Sequence, residues 1–478
     1  MNLLQHYADP RSWAENQFAG AEMSDIRRRD RVITIAEAMA ASPGKSIPQM
    51  FASTYDVKAT YELFKHPEAT PDNLQAGHRD LVKQQLGEPG VYLLIEDTTD
   101  LSWSGKQAIA GLGPISNGQA GLQGFHLHSV LAVRWPQAVA TETGSQRLPV
   151  TVIGLAHQKY YIRHQRAKGT PRPSSQEVKK RARESQRWEE TSYVIGQAAA
   201  GVRYVRVADR EADIYEYLLS CQQLHHGYVV RAYKDGALQS PETGKREGQL
   251  FEKARKAERL GEFSLKLRAR PKQPARTAHL RVSTSEVLIS SPWRPGKSLG
   301  QQPPIACTLV RAWEENPEPG VEAIEWLLLC DGAGSDFEAA RQRALQYATR
   351  WLIEEYHKAL KTGMRAEGLQ LESAERLMAA IAIKSVVALR LIDLKEKLRL
   401  AGEAEASQSG LNELELSVLR IRSGRSLGTV KEVGLAIGKL GGHLNRQADG
   451  MPGWQTLWRG MEKLGFLVEG VRLARKLT

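Results

Sequence analysis

The stretch from Tyr347 to Lys361, YATRWLIEEYHKALK, decides how this 478-residue sequence is interpreted. On an α-helix, which turns by about 100° per residue, four of its polar side chains would lie within an arc of about 60°. These four are Tyr347, Arg350, Glu354 and Lys361. One helix face would therefore combine a carboxylate with two cations and a phenol. This combination favours a site that holds a metal ion and phosphate groups together.

The charge balance favours a polyanionic partner. Lys and Arg total 66 against 54 Asp and Glu, a formal net charge of +12, and the isoelectric point is about 9.5. Basic proteins often bind nucleic acid, although many bind no particular polyanion. With 41% hydrophobic and 25% charged residues, the sequence is typical of a globular protein, and its length allows roughly three domains of about 150 residues.

Cysteine usage and hydropathy indicate a cytoplasmic protein. Cys221, Cys307 and Cys330 are odd in number and widely spaced, which argues against a disulfide framework or a zinc site and favours core thiols. No apolar run reaches the roughly 20 residues of a membrane span. The N-terminal sequence MNLLQHYADPRSWAENQF lacks the basic-then-apolar pattern of a signal peptide.

Residues 1–70 are predicted to form short helices that contact DNA. One helix begins at Ser24 or Asp25 and carries several arginines in its first turns, and a second follows over 54–67. Arginines near a helix N-terminus oppose the helix dipole, so we expect a polyanion to favour them there. The candidate contacts are Arg27, Arg28, Arg31 and Lys45. The alternative is a small bundle with a solvated basic face.

From about residue 88 the sequence changes to apolar strands that alternate with helices. Candidate strands cover 90–97, 125–135, 148–162, 203–209 and 227–233. Helices are predicted at 175–200 and from 208 onward, and a last one at about 336–362. Three strands followed by helix–strand–helix–strand is the order of the α/β ribonuclease-H-like fold.

A β-rich insertion at about 235–330 separates the fifth strand from the last helix. Its basic run, Lys253 to Arg281, would lie either along a DNA backbone or on a solvated face. Residues 370–478 are predicted to be helical, with a long amphipathic helix over 375–400.

Three carboxylates occur where this fold would bring them together. Asp97 ends the first strand, Asp209 ends the fourth, and Glu354 lies in the last helix. Phosphodiester cleavage is commonly assisted by two divalent ions about 3.5–4 Å apart, and Mg²⁺ prefers oxygen ligands. The order of the three acids on one predicted sheet therefore favours a shared metal site.

Each of the three acids also has an ordinary structural interpretation. Asp209 could be a helix cap, and Glu354 could be an exposed partner of Arg350 or Lys358. Other carboxylates compete in the same turns: Glu96 and Asp100 beside Asp97, and Glu211 and Asp213 beside Asp209. Because strand residues alternate between faces, Glu96 and Asp97 cannot both face the site.

The sequence resembles the DDE transposases of the insertion-sequence-four family, whose Tyr-x2-Arg-x3-Glu-x6-Lys signature it carries without a gap. The matching motifs are IEDTTDLSW (95–103), VADREADIYEY (207–217), YVVR (228–231), EWLLL (325–329) and YATRWLIEEYHKALKTG (347–363). The resemblance covers nearly the whole chain. It implies that Asp97, Asp209 and Glu354 are the catalytic, metal-binding triad, with two Mg²⁺ ions per site for which Mn²⁺ would substitute.

The same resemblance implies further DNA contacts. Tyr347, Arg350 and Lys361 would contact phosphates near the transposon end. Trp326 would stack on a base flipped out of the duplex, or else be one more core residue of an apolar strand. Secondary contacts would come from Arg231, His357 and Lys358.

The resemblance also implies a reaction and an assembly. A transposon end would be nicked, cut through a hairpin intermediate and joined to target DNA by its 3′-OH. A homodimer would pair the inverted ends, with the dimer contact placed near Leu440, Trp454, Leu457 and Trp458. The expected domains are 1–70 for DNA-end binding, 71–369 for catalysis and 370–478 for dimerisation, in a cytoplasmic bacterial protein without a membrane partner.

Two other functions remain open from the sequence. One is a related metal-dependent nuclease that cuts DNA without joining it. The other is a non-catalytic DNA-binding inhibitor. The complete triad and the basic N-terminal helix both count against the inhibitor.

Overall fold

The computed structural model describes residues 9–103, 109–115, 121–136, 148, 150–163, 185–267, 276–292, 302–317, 319–332, 334, 336–446 and 450–477. Within these ranges, the helices are α1 (Pro10–Phe18), α2 (Ile26–Ala41), α3 (Ile47–Met50), α4 (Thr54–Lys65), α5 (Pro71–Leu86), α6 (Gln186–Ile195), α7 (Tyr215–Gln223), α8 (Leu250–Lys256), α9 (Phe337–Ala348), α10 (Trp351–Lys358), α11 (Ala374–Leu400), α12 (Glu413–Ser423), α13 (Val430–Leu440) and α14 (Trp454–Leu477).

The helical character predicted for the N-terminal residues is confirmed by α1 to α4. Asp25, one of the two predicted caps, begins α2 by accepting a hydrogen bond from the backbone N–H of Arg27. Ser53 caps α4 in the same way through the N–H of Tyr55. Apolar side chains of α1 and α2, including Phe18 and Ile35, are fully buried in the main core.

The described strands form one twelve-stranded mixed sheet. They are β1 (Gly90–Ser102), β2 (Gly113–Pro114), β3 (Gln123–Arg134), β4 (Thr151–Tyr161), β5 (Val202–Ala208), β6 (Gly227–Arg231), β7 (Ala237–Gln239), β8 (Arg246–Gln249), β9 (Arg259–Leu267), β10 (Arg276–Ile289), β11 (Ile305–Trp313) and β12 (Glu325–Cys330). One face packs against the N-terminal helices and α9 to α11, and the other packs against α6 and α7.

The five strands predicted first are neighbours in the order β4-β3-β1-β5-β6. β3 runs antiparallel to β1 and β4, whereas β5 and β6 run parallel to β1. The predicted antiparallel set and its two added strands are therefore confirmed. The strands of the predicted insertion extend the same sheet, because β12 pairs with β6 and continues through β11 to β10.

The single helix predicted at 336–362 is wrong, because α9 and α10 are separated by a tightened turn. The Thr349 hydroxyl donates a hydrogen bond to the Leu345 carbonyl at 3.0 Å. The N–H of Arg350 bonds to the carbonyl of Tyr347, three residues back, at 2.9 Å. A threonine hydroxyl that competes for a helix carbonyl, followed by i−3 bonding, locally interrupts the α-helical ladder.

A π turn at Ala359–Gly363 follows α10, with the N–H of Met364 bonded to the carbonyl of Ala359 at 2.8 Å. The arc calculated for an ideal α-helix therefore does not hold through Lys361.

Two other predicted helices differ in their bounds. The helix expected from 208 begins only at Tyr215, after a 3₁₀ turn. The helix expected at 175–200 ends at Ile195, and residues 175–184 lie outside the described ranges.

The C-terminal helices pack closely on each other and on the sheet-bearing part of the chain. α11 is buried on most of its surface, including Lys384 and Glu396, so its predicted amphipathic character is wrong. It is enclosed because N-terminal helices, β4 and α14 all pack around it. α13 and α14 approach so closely that a Cβ on Gly460 would lie 1.8 Å from the Ile437 carbonyl oxygen.

Candidate active site

Asp97 and Asp209 lie side by side where the parallel pairing of β1 with β5 ends. Asp209 directly follows β5, but β1 continues to Ser102 and pairs Asp97 with Ser129 of β3, so the prediction that Asp97 ends the first strand is wrong. Glu96 of β1 is in register with Ala208 of β5, so the next residue of each chain segment is one of the two aspartates. Adjacent strands are about 4.8 Å apart. The Asp97 side chain is 17% exposed and accepts a hydrogen bond from the N–H of Thr98. Asp209 is half-buried.

Asp209 is also a cap, as the ordinary interpretation of this residue predicted. Its Oδ1 accepts the N–H of Glu211 at 2.9 Å and begins the 3₁₀ turn Arg210–Ala212. This bond occupies one carboxylate oxygen and fixes the orientation of the side chain. The second oxygen is left for the site.

The four competing carboxylates are engaged elsewhere. Glu96 is fully buried on the opposite side of β1, where it pairs with Arg206. Asp100 pairs with His126. Glu211 lies 3.7 Å from Arg187. Asp213 accepts the backbone N–H groups of Tyr233 and Lys234, both at 2.8 Å. Among the neighbouring acids, Asp209 therefore acts most strongly on Asp97, and Glu211 contributes less in the same direction.

Arg350 connects these aspartates to Glu354. Its guanidinium lies 3.6 Å from Asp97 Oδ2 and forms a close ion pair with Glu354 Oε1. The Arg350 side chain is largely buried, whereas that of Glu354 is 51% exposed. Asp97 and Glu354 therefore contact one guanidinium from two sides, and Glu354 has the exposed ion pair that its ordinary interpretation predicted.

The electrostatics of the two aspartates favour a bound cation. Burial, and to a lesser extent the neighbouring charge of Asp209, raise the pKa of Asp97 to about 7 despite the lowering effect of Arg350. Two carboxylates that repel each other in a buried site lose that repulsion when a positive charge lies between them. The donor set, carboxylate oxygen, is the one that Mg²⁺ prefers.

A complete three-acid cluster is not formed. Within the described residues, no three His, Cys, Asp or Glu side chains are grouped closely enough to hold a metal ion. Glu354 is held by Arg350 instead. The site therefore fits a divalent ion through Asp97 and Asp209 as it stands, and through Glu354 only when its ion pair with Arg350 opens.

Three further residues predicted to contact DNA follow Glu354 in the chain: His357, Lys358 and Lys361. His357 Nδ1 lies 4.0 Å from Asp97, and burial together with Lys361 lowers the pKa of His357 to about 3, so the ring is neutral. The Arg350 Nε and His357 Nε2 atoms are buried without hydrogen-bond partners among the described residues. Both can serve as donors to an oxygen-rich ligand. Lys358 is exposed and Lys361 half-buried.

Trp326 is a core residue, only 5% exposed. Its ring meets those of Tyr347 and Trp351 edge to face, with centroids 5.1 Å and 6.3 Å away. Burial raises the pKa of the Tyr347 hydroxyl, which shares a hydrogen bond with Arg231. A base could stack on Trp326 only if this aromatic group opened.

The N-terminal arginines have protein partners, which sequence reasoning did not foresee. Arg27 pairs with Asp25, Arg28 with Glu68, and Arg31 with Asp56. These acids offset the unfavourable position of the arginines near the start of α2. Arg27 is nevertheless 87% exposed in its side chain and free to reach outward.

Sequence reasoning also missed the group that supports Asp97 from beneath. Glu96, Arg206 and Tyr217 form a fully buried cluster, with His128 Nε2 3.4 Å from Glu96 Oε2. The sequence did contain one sign of this cluster: Arg206 lies in the middle of the apolar strand RYVRVAD and would need a buried partner. Its partner, on a strand about 110 positions earlier, could not be assigned from spacing.

Two family models match the chain, one near each end. A model of the transposase DNA-binding domain matches residues 10–69, and a model of the Tn5 transposase dimerisation domain matches residues 419–478. The two matches support a Tn5-like DNA transposase. The first covers α1 to α4 with Arg27, Arg28, Arg31 and Lys45, and the second covers α13 and α14. The candidate acids lie between the matched ranges.

These matches support DNA and a second copy of the chain as partners. The three cysteines are free and buried. Among the described residues, no helix is long and apolar enough to cross a membrane.

Two of the residues predicted for the dimer contact, Trp454 and Leu457, are instead buried within the chain's own core. Exposed apolar side chains on α14 include Phe466 and Leu473.

Proposed function

We propose that this chain is a cut-and-paste DDE transposase of the insertion-sequence-four family with a ribonuclease-H-like core. The observation that carries the proposal is the juxtaposition of Asp97 and Asp209 where the parallel pairing of β1 with β5 ends, beside Arg350 and Glu354. The strand order β4-β3-β1-β5-β6 supports the core assignment. The two flanking family matches support DNA binding and dimerisation.

Asp97, Asp209 and Glu354 would hold two Mg²⁺ ions, for which Mn²⁺ would substitute. When bound, the ions would activate the attacking oxygen and stabilise the leaving one. Opening of the Arg350–Glu354 pair would serve two purposes at once. It would release the Glu354 carboxylate, and it would free a planar guanidinium that suits bidentate contact with phosphate.

The remaining site residues would position the DNA. Tyr347, Arg350 and Lys361 would contact phosphates near the cut, with Arg231 and Lys358 nearby. His357 would donate a hydrogen bond as a neutral ring, because burial holds its pKa low. Trp326 would stack on a flipped base after its aromatic neighbours move, and stacking of about 1–3 kcal/mol per base would offset part of the flipping cost.

The proposed reaction begins with hydrolysis at the 3′ end of the transposon. The new 3′-OH then attacks the opposite strand to give a hairpin, which water reopens, and finally attacks target DNA. Each step is an in-line displacement at phosphorus, so one site can perform all of them. A homodimer in the bacterial cytoplasm would hold the two inverted ends together.

The test is an incubation of the full chain with Mg²⁺, a donor carrying the inverted repeats that flank the gene, and a supercoiled target. Donor ends joined to target DNA are the expected products. Cleavage without joining would indicate a nuclease instead. A gel shift without cleavage would indicate a non-catalytic DNA-binding protein.

A further inference from the structure

A cavity of about 400 Å³ lies away from the acidic site, between the N-terminal helices and the segment that follows the π turn. Its walls come from two distant parts of the chain: the loop Gly44–Ser46 with α3, and residues 365–370 with Lys384 of α11. Gly44 makes this junction possible, because it has a φ of +77° and a Cβ there would lie 2.9 Å from the Gly363 carbonyl oxygen.

The cavity is lined by cations and by no acid. Lys45, Arg365 and Lys384 all face it, and the other lining residues are uncharged. Within the described residues, none of these three cations is within 4.0 Å of a carboxylate oxygen. Five other cations of the N-terminal helices have a carboxylate partner: Arg11, Arg27, Arg28, Arg31 and Lys65. Lys45 Nζ lies over the Phe466 ring, 5.8 Å from its centroid, but the cavity still gathers three cations with no carboxylate partner among the described residues.

Lys384 is the most buried of the three cations, so its charge is the most unfavourable to leave without an anion. Its side chain is only 1% exposed, and its ammonium group donates to the Met364 carbonyl at 2.8 Å. One carbonyl satisfies a single donor of three, which leaves two for a ligand in the cavity. Burial, with a contribution from Arg365, lowers the pKa of Lys384 to about 8. A buried cation without a counter-ion is unfavourable unless an anion joins it.

Arg365 is held in an uncommon backbone conformation at the rim. Its φ and ψ are 46° and 48°, in the left-handed region that arginine rarely adopts. Such a conformation costs of order 1 kcal/mol or more, and it points to function when it borders a site. Here the Arg365 side chain lies close to Gly44, the residue before Lys45, so two cations line the same cavity.

We propose that this cavity binds a phosphate group attached to an organic body, with Lys384 at the floor and Lys45 and Arg365 at the rim. A planar guanidinium and two ammonium groups suit a tetrahedral oxyanion. Ile47, Pro48, Tyr61 and Leu369 add an apolar wall that suits a sugar or base. The phosphate could come from a DNA backbone or from a free nucleotide. The proposal does not depend on the proposed catalytic activity, because binding is measured without cleavage.

The test is calorimetric titration of the full chain with inorganic phosphate, at constant ionic strength set with sodium chloride. Lys384→Met and Arg365→Met should each weaken phosphate binding by about tenfold or more, because each removes a charge-assisted contact. Lys439→Met, which removes an exposed lysine outside the cavity, should leave binding unchanged. Arg365 is exposed, so its variant tests the cavity even if Lys384→Met folds poorly.

A repeat of the titration in the presence of saturating 20-base-pair duplex distinguishes the two sources. Loss of the phosphate signal would assign the cavity to a DNA backbone phosphate, and its persistence would assign the cavity to a free phosphate compound. Absence of saturable phosphate binding by the unmodified chain would overturn the proposal. Equal binding by the unmodified chain and both cavity variants would overturn it as well.

Discussion

The guanidinium of Arg350 is paired with the carboxylate of Glu354, one turn further along the chain. The same guanidinium lies 3.6 Å from Asp97, which neighbours Asp209 where the pairing of β1 with β5 ends. A protein cation therefore balances acids that would otherwise repel one another. In the DNA-bound state, a divalent ion would replace Arg350 as the partner of Glu354. A DNA phosphate would replace Glu354 as the partner of Arg350.

The first prediction concerns the pH dependence of stability in buffer containing a chelator. Because the pKa of Asp97 is raised from 3.8 to about 7 by folding, its contribution to stability is fully present below pH 3.8 and is lost as the pH rises through about 7. Asp97→Asn should therefore increase the free energy of unfolding at pH 8 by about 1–3 kcal/mol. Urea denaturation at pH 5 and pH 8 measures this.

The control for that experiment is Asp30→Asn, which changes an exposed aspartate on α2. It should shift the unfolding free energy by less than about 0.5 kcal/mol at either pH. If Asp97→Asn were no more stable than the unmodified chain at pH 8, burial and the charge of Asp209 would not disfavour the ionised Asp97 carboxylate as the structure indicates.

The second prediction concerns the buried pair beneath the site. Arg206→Ala should cost about 3–5 kcal/mol, because it leaves Glu96 charged and fully buried. Lys256→Ala removes one partner of the exposed pair with Glu252 and should cost less than about 1 kcal/mol. Chemical denaturation compares the two variants. Equal losses would mean that the Glu96–Arg206 pair does not stabilise the sheet.

Much of this arrangement could be predicted from local sequence. Asp97 and Asp209 each follow an apolar run of a predicted strand, so local sequence was enough to propose them, although β1 continues past Asp97 to Ser102. The partners of buried charges depend on distant residues. Arg31 meets Asp56, Arg206 meets Glu96, and Lys384 lies beneath a loop some 340 positions earlier. Spacing carries no information about such contacts.

The break between α9 and α10 was not predictable for a different reason. Periodicity through residues 336–362 is helical, and Thr349 is an acceptable helix residue. Its hydroxyl bonds to the Leu345 carbonyl, but Thr34 makes the same bond to the Asp30 carbonyl within the uninterrupted α2, so a threonine here does not signal a break. The helical pattern therefore correctly predicted helix in this segment but wrongly predicted one uninterrupted helix.

The third prediction tests the close contact of the two C-terminal helices. A methyl group at Gly460 would lie 1.8 Å from the Ile437 carbonyl oxygen, so Gly460→Ala should destabilise the chain by about 1–3 kcal/mol. Gly465 lies in the same helix, and a methyl group there would have nothing within 4 Å. Gly465→Ala should therefore be neutral or stabilising by up to about 1 kcal/mol. Thermal unfolding of both variants gives the comparison.

The fourth prediction concerns self-association through α14. Leu473 is 55% exposed and lies within the range matched by the Tn5 dimerisation domain. Leu473→Glu should weaken dimer formation on DNA by about tenfold or more, because a charge would replace an apolar contact. Lys463→Glu changes charge on the same helix and serves as the control. Size exclusion with light scattering of the DNA complexes should show a dimer for the control. A dimer of equal stability for Leu473→Glu would show that Leu473 is not part of the dimer interface.

The most direct measurement of the central claim is DNA cleavage with Mg²⁺ by Asp97→Ala, Asp209→Ala and Glu354→Ala, beside Glu211→Ala as a neighbouring acid. We predict that each of the first three loses cleavage, by about a thousandfold or more, while a gel shift shows unchanged DNA binding. Glu211→Ala should retain cleavage. Cleavage at the unmodified rate by any one of the first three variants would contradict the assignment of these carboxylates to a shared metal site.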